Sequence, residues 1–238
     1  MSMQDDSMRV AIVDYGMGNL FSVRRACDHA KIQSIVTAEA IVIEKADALI
    51  LPGVGAFGDA MGNLKSLDLI SPIKDFIAAG KPFMGICLGM QLLFSESEEF
   101  GKHKGLDIIN GKVLKFPARD RKDSNSKVPQ VGWNRISATI ESYEQCWNAS
   151  PLKTLRNGEF MYFVHSYYVK PDSDNEVLAI TEYADVTYAS GIMKNNIFAF
   201  QFHPEISGKQ GLEIYKNFKE IISNGGMHGT AEGYSKKV

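Results

Sequence analysis

No run of apolar residues in this chain approaches the roughly 20 that a helix needs to cross a bilayer. The opening MSMQDDSMRV has no basic segment followed by an apolar stretch. Neither a membrane span nor a secretory leader is expected, and the expected compartment is cytoplasmic. Cysteine is scarce. Cys27, Cys87 and Cys146 are odd in number and spaced like neither a disulfide framework nor a zinc site, so each is expected as a reduced thiol. Charge of either sign barely prevails: a net charge of −2 over 238 residues leaves no footprint for nucleic acid. Internal repeats and low-complexity tracts are missing. The glycines of Asp14-Tyr15-Gly16-Met17-Gly18-Asn19 lack the G-x-G-x-x-G spacing of a dinucleotide loop, which argues against NAD; no metal or other cofactor is expected.

What is present is alternation. Met8 to Asp14 is a buried-strand pattern that ends in a glycine turn and runs into a helical pattern over Leu20 to Ala30. Further strands are expected at Ser34 to Thr37, Ala48 to Leu51 and Pro82 to Ile86, with helices around Ala60 to Leu67 and Pro72 to Ala79 between the last two. Such alternation predicts an open, mostly parallel sheet with helices on both faces. Beyond Phe100 the texture turns β-rich. Strand-like runs at Lys112 to Phe116, Val131 to Ile136, Phe160 to Val164, Val177 to Tyr183, Val186 to Met193 and Ile197 to Phe202 predict an additional antiparallel portion. One hairpin is expected to turn at Lys194-Asn195-Asn196, and helix returns at Gly211 to Ser223. Length and composition suit a single domain over residues 8–223, with 1–7 and 224–238 as flexible termini and Arg119 to Lys127 as a solvated loop.

Cys87 lies in KPFMGICLGMQLLF, between Gly85 and Gly89, where an apolar strand gives way to a helix. The spacing is that of a G-x-S-x-G nucleophile elbow with sulfur in place of the hydroxyl. A residue on such a turn projects from the carboxyl edge of the sheet, and the backbone N–H of Leu88 is positioned to meet an oxyanion formed beside the sulfur. A thiol nucleophile needs a base and the base needs an orienting group. FQFHPEIS, Phe200 to Ser207, offers both: His203 follows an apolar strand that Pro204 terminates, and Glu205 stands two residues further on. Cys27 and Cys146 have no glycine turn or local base and read as packing residues. Taken alone, a cysteine of this kind is as readily a buried structural thiol.

Together, GICLG and HPE resemble the class I glutamine amidotransferases, in which a Cys-His-Glu triad hydrolyses L-glutamine. DYGMGNLFSV, LPGVGAFGDAM, GICLGMQLLFSESEE, VPQVGWN, YFVHSYY and QFHPEISG narrow the resemblance to the glutaminase subunits of imidazole glycerol phosphate synthase, over essentially Met8 to Ser223. The resemblance implies Cys87 as nucleophile, His203 as general acid and base, and Glu205 as its orienter. It implies an oxyanion strand at Gly53, Val54 and Gly55 working with Leu88, and glutamine recognition by Gln91, Glu99, His165, Ser166 and Tyr167. It also implies a heterodimer with a synthase or cyclase subunit that receives the ammonia. Asn19, Gln130, Trp133, Asn134 and Ile206 fall in segments expected to face that partner. Two of them depart from the family pattern, Gln130 where histidine is usual and Ile206 where lysine is usual. A paralogous glutaminase serving a surface-polysaccharide sugar amidotransferase therefore stays open, as do, further off, a stand-alone thiol hydrolase and a redox sensor.

Overall fold

The computed structural model describes residues 9–117, 127–138 and 143–226. The expected leader, most of the expected loop at Arg119 to Lys127, and the tail beyond Gly226 lie outside those residues. In chain order the strands are β1 (Arg9–Val13), β2 (Gln33–Thr37), β3 (Ala48–Leu51), β4 (Phe83–Ile86), β5 (Phe94–Ser97), β6 (His103–Lys104) and β7 (Ile109–Lys115). They continue with β8 (Gln130–Ile136), β9 (Glu159–His165), β10 (Tyr167–Pro171), β11 (Val177–Tyr183), β12 (Val186–Lys194) and β13 (Ile197–Phe200). The helices are α1 (Leu20–His29), α2 (Ala40–Lys45), α3 (Phe57–Ser66), α4 (Ile70–Ala78), α5 (Leu88–Gln91), α6 (Tyr143–Asn148) and α7 (Gly208–Ser223).

Eleven strands form one sheet in the order β2-β1-β3-β4-β13-β12-β10-β7-β5-β6, with β11 added beside β12. Every pair from β2 to β13 is parallel, as the βα alternation requires, and the sheet becomes antiparallel from β13 onward except for the parallel β5 and β7 pair. A second, two-stranded sheet pairs β8 with β9 antiparallel, and a bridge from Ser137 to Ile180 of β11 joins it to the first. Alternate residues of the parallel strands serve two cores. Val10, Ile12, Ile50, Met84, Phe198 and Phe200 cluster with Val23 and Cys27 of α1 and Ile214 and Phe218 of α7. Ala11, Val13, Leu49, Leu51, Phe83 and Ala199 cluster with Ile43, Phe57, Leu64, Ile73 and Phe76 from α2, α3 and α4. The central strands β3, β4 and β13 are thus buried on both faces, which is what continuous apolar strands demand.

Several details differ from the sequence expectation for local reasons. The expected strand at Ile197 to Phe202 stops at Phe200, because its parallel neighbour β4 ends at Ile86 and Cys87 N–H takes the Phe200 carbonyl at 2.7 Å. The hairpin joins Lys194 to Ile197 through Asn195 and Asn196, with Asn195 at φ +52°, a left-handed conformation that asparagine tolerates better than most residues. No helix among the described residues is long and apolar enough to cross a membrane.

Candidate active site

Cys87 occupies φ +53° and ψ −108°, a conformation that costs a non-glycine residue of order 1–3 kcal/mol and persists only where neighbours enforce it. The enforcement is visible in the glycines. A Cβ on Gly89 would overlap the main-chain oxygen of Leu51, and one on Gly85 would press on the main chain of Gly89 and on Ala199. The glycines let α5 sit directly against β3, so the chain must turn sharply at Cys87 and aim its side chain from the carboxyl edge of the sheet.

His203 arrives at the same edge three residues after β13, the strand paired to β4. Its main chain is pinned twice: His203 N–H donates to Tyr162 O at 2.9 Å, and the buried Ser207 hydroxyl donates to His203 O at 2.6 Å while accepting from Tyr162 N–H at 2.9 Å. Glu205 Oε1 holds the ring at Nδ1, 2.7 Å away, in a pair whose side chains are almost wholly buried. Nε2 is buried and completes no hydrogen bond. Burial opposes a charged ring, but the nearby Cys87 sulfur and then the Glu205 carboxylate outweigh it and raise the His203 pKa to about 11. Beside a charged sulfur the imidazole is therefore held protonated, ready to give a proton to a leaving group.

A pocket of about 200 Å³ opens beside the sulfur, lined by Val54, Gly55, Cys87, Leu88, Gln91, Glu99, Val164, His165, Ser166 and Tyr167. The residues expected from the two ends of the chain to recognise glutamine thus share one cavity. Glu99 is nearly buried rather than part of a solvated acidic run, accepting from Phe57 N–H at 2.6 Å; burial raises its carboxyl pKa and that N–H opposes the rise. His165 is buried, and burial drives its pKa down to about 4, with the Tyr167 carbonyl countering and the His203 charge adding. The two histidines at this edge are thus in opposite states, one protonated and one neutral.

The expected oxyanion donors are not yet aligned. Leu88 N–H is taken by Gly53 O at 3.3 Å, so a carbonyl oxygen occupies the space an oxyanion would need. Tyr15 anchors the loop, its hydroxyl donating to Pro52 O at 2.8 Å, and a Cβ on Gly53 would overlap that hydroxyl.

Of the residues expected at a partner surface, Asn19 is exposed and caps α1, and Trp133 and Ile206 are 54% and 39% exposed. Asn134 is partly covered, its amide donating to Glu182 O at 2.9 Å. Gln130 differs from these in exposure. It is 2% exposed and bonded to the Tyr188 hydroxyl at 2.9 Å, because β8 alternates and its first residue turns inward where Val131 turns out. Tyr15, Tyr188, Gln201 and Ser207 also support the site, though no residue pattern marks them. Gln201 and Ser207 lie inside the FQFHPEIS segment, and that adjacency was the only signal they carried.

A strained cysteine at a strand-to-helix turn, a carboxylate-held imidazole on the next parallel strand and a pocket between them define a thiol hydrolase on an open α/β sheet. Residues 11–221 match the family described as glutamine amidotransferase class-I. The imidazole glycerol phosphate synthase subunit HisH of Aquifex aeolicus (strain VF5) is 46% identical over 213 residues, covering 89% of this chain and 96% of that one. HisH of Chlorobaculum tepidum is 44% identical, covering 89% of this chain and all of that one. Among solved structures, PurLQS from Thermotoga maritima aligns with a TM-score of 0.64 at 18% identity over 92% of this chain and 98% of that chain, a likeness of fold. The chain belongs to the class-I glutamine amidotransferases and, within them, to the family of HisH subunits.

Proposed function

We propose that this chain is the glutaminase subunit of an imidazole glycerol phosphate synthase. It hydrolyses L-glutamine to glutamate and ammonia and hands the ammonia to a cyclase subunit, with which it forms a heterodimer in the cytoplasm, in the service of histidine biosynthesis. The observation that carries this reading is the pairing of β4 with β13, which brings the Cys87 turn beside the His203 and Glu205 pair. The identity to HisH subunits supports the pathway.

In this reading the Cys87 sulfur attacks the carboxamide carbon of glutamine. His203 gives its proton to the departing ammonia, leaving a γ-glutamyl thioester, and then takes a proton from the water that hydrolyses the thioester, while Glu205 keeps the ring oriented. Gln91, Glu99, His165, Ser166 and Tyr167 hold the amino-acid end of the substrate. The tetrahedral intermediate needs two donors. Turning the Gly53–Val54 peptide would withdraw the Gly53 oxygen and present Val54 N–H beside Leu88 N–H, and Gly53, whose ψ takes up half of that rotation, lowers its cost. The isolated chain is accordingly a poor glutaminase, and partner with acceptor ligand supply the bias, roughly a few kcal/mol.

The departure at Gln130 lies in the interior, which leaves Ile206 as the exposed departure from the family pattern. Replacing Cys87 by Ala should abolish glutamate release from glutamine while the complex still uses free ammonium. Glutamate release by Cys87→Ala at the wild-type rate would remove the assignment. Growth of a histidine auxotroph lacking its own glutaminase subunit, at low ammonium, tests the pathway.

A further inference from the structure

We propose that Gln201 is a further catalytic residue of this site, its side-chain amide donating a hydrogen bond to the Cys87 sulfur and favouring the thiolate; this deepens the glutaminase reading and rests on Cys87 being its nucleophile. Gln201 is fully buried, between Phe200 and Phe202, which are fully buried as well. A primary amide in such surroundings costs free energy unless its donors and acceptor are used.

Its orientation follows from neighbours that leave no choice. The Tyr167 carbonyl can only accept, and it meets Gln91 Nε2 at 3.0 Å and His165 Nδ1 at 2.8 Å. The Gln91 group at that position is therefore its NH₂. The same NH₂ lies 3.1 Å from one end of the Gln201 amide, which must then be the oxygen. The remaining end, 3.6 Å from Cys87 Sγ, is the Gln201 NH₂. A nitrogen that can only donate thus faces the reacting atom, at a separation suited to sulfur. Main-chain pairing fixes it there, Gln201 N–H donating to Ser190 O at 3.0 Å.

The other polar atom at the sulfur has the opposite preference. Val164 O, 3.9 Å from Sγ, can accept from a thiol but would repel a thiolate. Gln201 and His203 together tip that balance toward the anion, since a donor to a charged acceptor is worth more than one to a neutral acceptor. Gln91 acts through Gln201 as a positioning residue. The chain of contacts from Tyr167 O through Gln91 and Gln201 to the sulfur ties the nucleophile to the wall expected to recognise glutamine.

The test uses the full chain without glutamine: alkylation of Cys87 by iodoacetamide, followed by mass spectrometry, in the wild type and in Gln201→Met and Gln201→Leu. A thiolate that loses its donor is scarcer but more nucleophilic. Recorded from pH 4 to 10, the rate profile of the variants should have its inflection moved to higher pH, with rates about threefold below wild type on its acid side and about threefold above on its alkaline side. His203, Tyr15 and Tyr188, the titratable groups that act on the sulfur, are unaltered in both variants. Cys146, read in the same samples, should keep its rate. Profiles that coincide with wild type, or differ by one factor at every pH with no shift of the inflection, overturn the proposal. Should neither variant fold, the assigned side-chain amide protons of Gln201 in labelled protein decide: on Cys87→Ala one of the two should move upfield and the other hold. Two unmoved protons, or two moved alike, overturn it. Both measurements are blind to glutamine turnover, so this proposal and the glutaminase reading fail separately.

Discussion

The two walls that meet at the Cys87 sulfur are held in opposite ways. On one side, the turn between β4 and α5 is wedged: Gly89 lies against Leu51, Gly85 against Gly89 and Ala199, and the Cys87 main chain is tied to Phe200. On the other, Val54 is 41% exposed and Gly55 sits at φ +109°, where a Cβ would meet only the terminal methyl of Met17. That wall is fastened at its root, by Tyr15 to Pro52, and faces inward with a carbonyl. The proposed nucleophile is thus installed by the fold, whereas the donors proposed to stabilise its tetrahedral intermediate would have to be turned into place. Rigidity is spent where a strained residue has to be held, and compliance is kept where a peptide has to rotate.

Substitutions can break that contrast. Gly89→Ala should have the largest effect, costing more than about 4 kcal/mol or preventing folding, since the new methyl would overlap the Leu51 main chain, which cannot give way without moving β3. Chemical denaturation measures it, and a stable Gly89→Ala protein would show the elbow to be less constrained than described.

The pH dependence of stability comes next. His165 has a folded pKa of about 4, below its ordinary value near 6.5. Between those values the unfolded chain binds a proton that the folded chain refuses, so stability is intact above about pH 6.5 and falls as the pH drops toward 4. The contribution is about 3 kcal/mol across the window. His165→Gln should flatten the acid limb of the unfolding free energy by about that amount, and an unchanged slope would mean that the ring is not held neutral by burial.

Gly55→Ala should cost less stability, about 1–3 kcal/mol for the disfavoured φ. Its larger consequence should be on turnover: with the cyclase partner present, kcat falls about tenfold and KM little, because a stiffer neighbour hampers the turn of the Gly53–Val54 peptide, whose N–H is used only when charge develops. The smallest effect is expected at Gly62, an exposed helical glycine of α3 with open space where a Cβ would stand. Gly62→Ala should add about 0.5–1 kcal/mol of stability and leave turnover alone, which calibrates the other glycines.

Features written into contiguous residues were legible in the sequence. The bounds of β3 and β11 are those expected, and Cys87, His203 and Glu205 come together because glycine spacing and His-Pro-Glu encode their turns locally. β5, β6 and β10 give no strand signal in the sequence: β5 and β6 are four and two residues long, and β10 owes its existence to pairing with β7 and β12, distant in sequence. α2 and α6 are single short turns of helix whose propensity gives no signal above that of a loop. The inward turn of Gln130 was illegible for a related reason: period-two alternation gives two faces, and only the rest of the fold decides which one is inside. Gln201 was hidden by its context, a polar residue in an aromatic strand end whose partners, Gln91 and Cys87, lie 110 and 114 residues away.

The ladder between β4 and β13 has a bearing on how chains of this kind can change length. Ile86 is matched with Phe200, and the next rung joins Cys87 to that same strand. Insertion of one residue between Ile197 and His203 would advance the imidazole by about 3.3 Å along the strand or turn it to the opposite face of the sheet. Either outcome parts it from the sulfur. Gains and losses of residues are therefore to be expected in relatives before β4, between α5 and β12 and after α7, while the stretches 83–89 and 197–207 should keep their length even where their side chains drift.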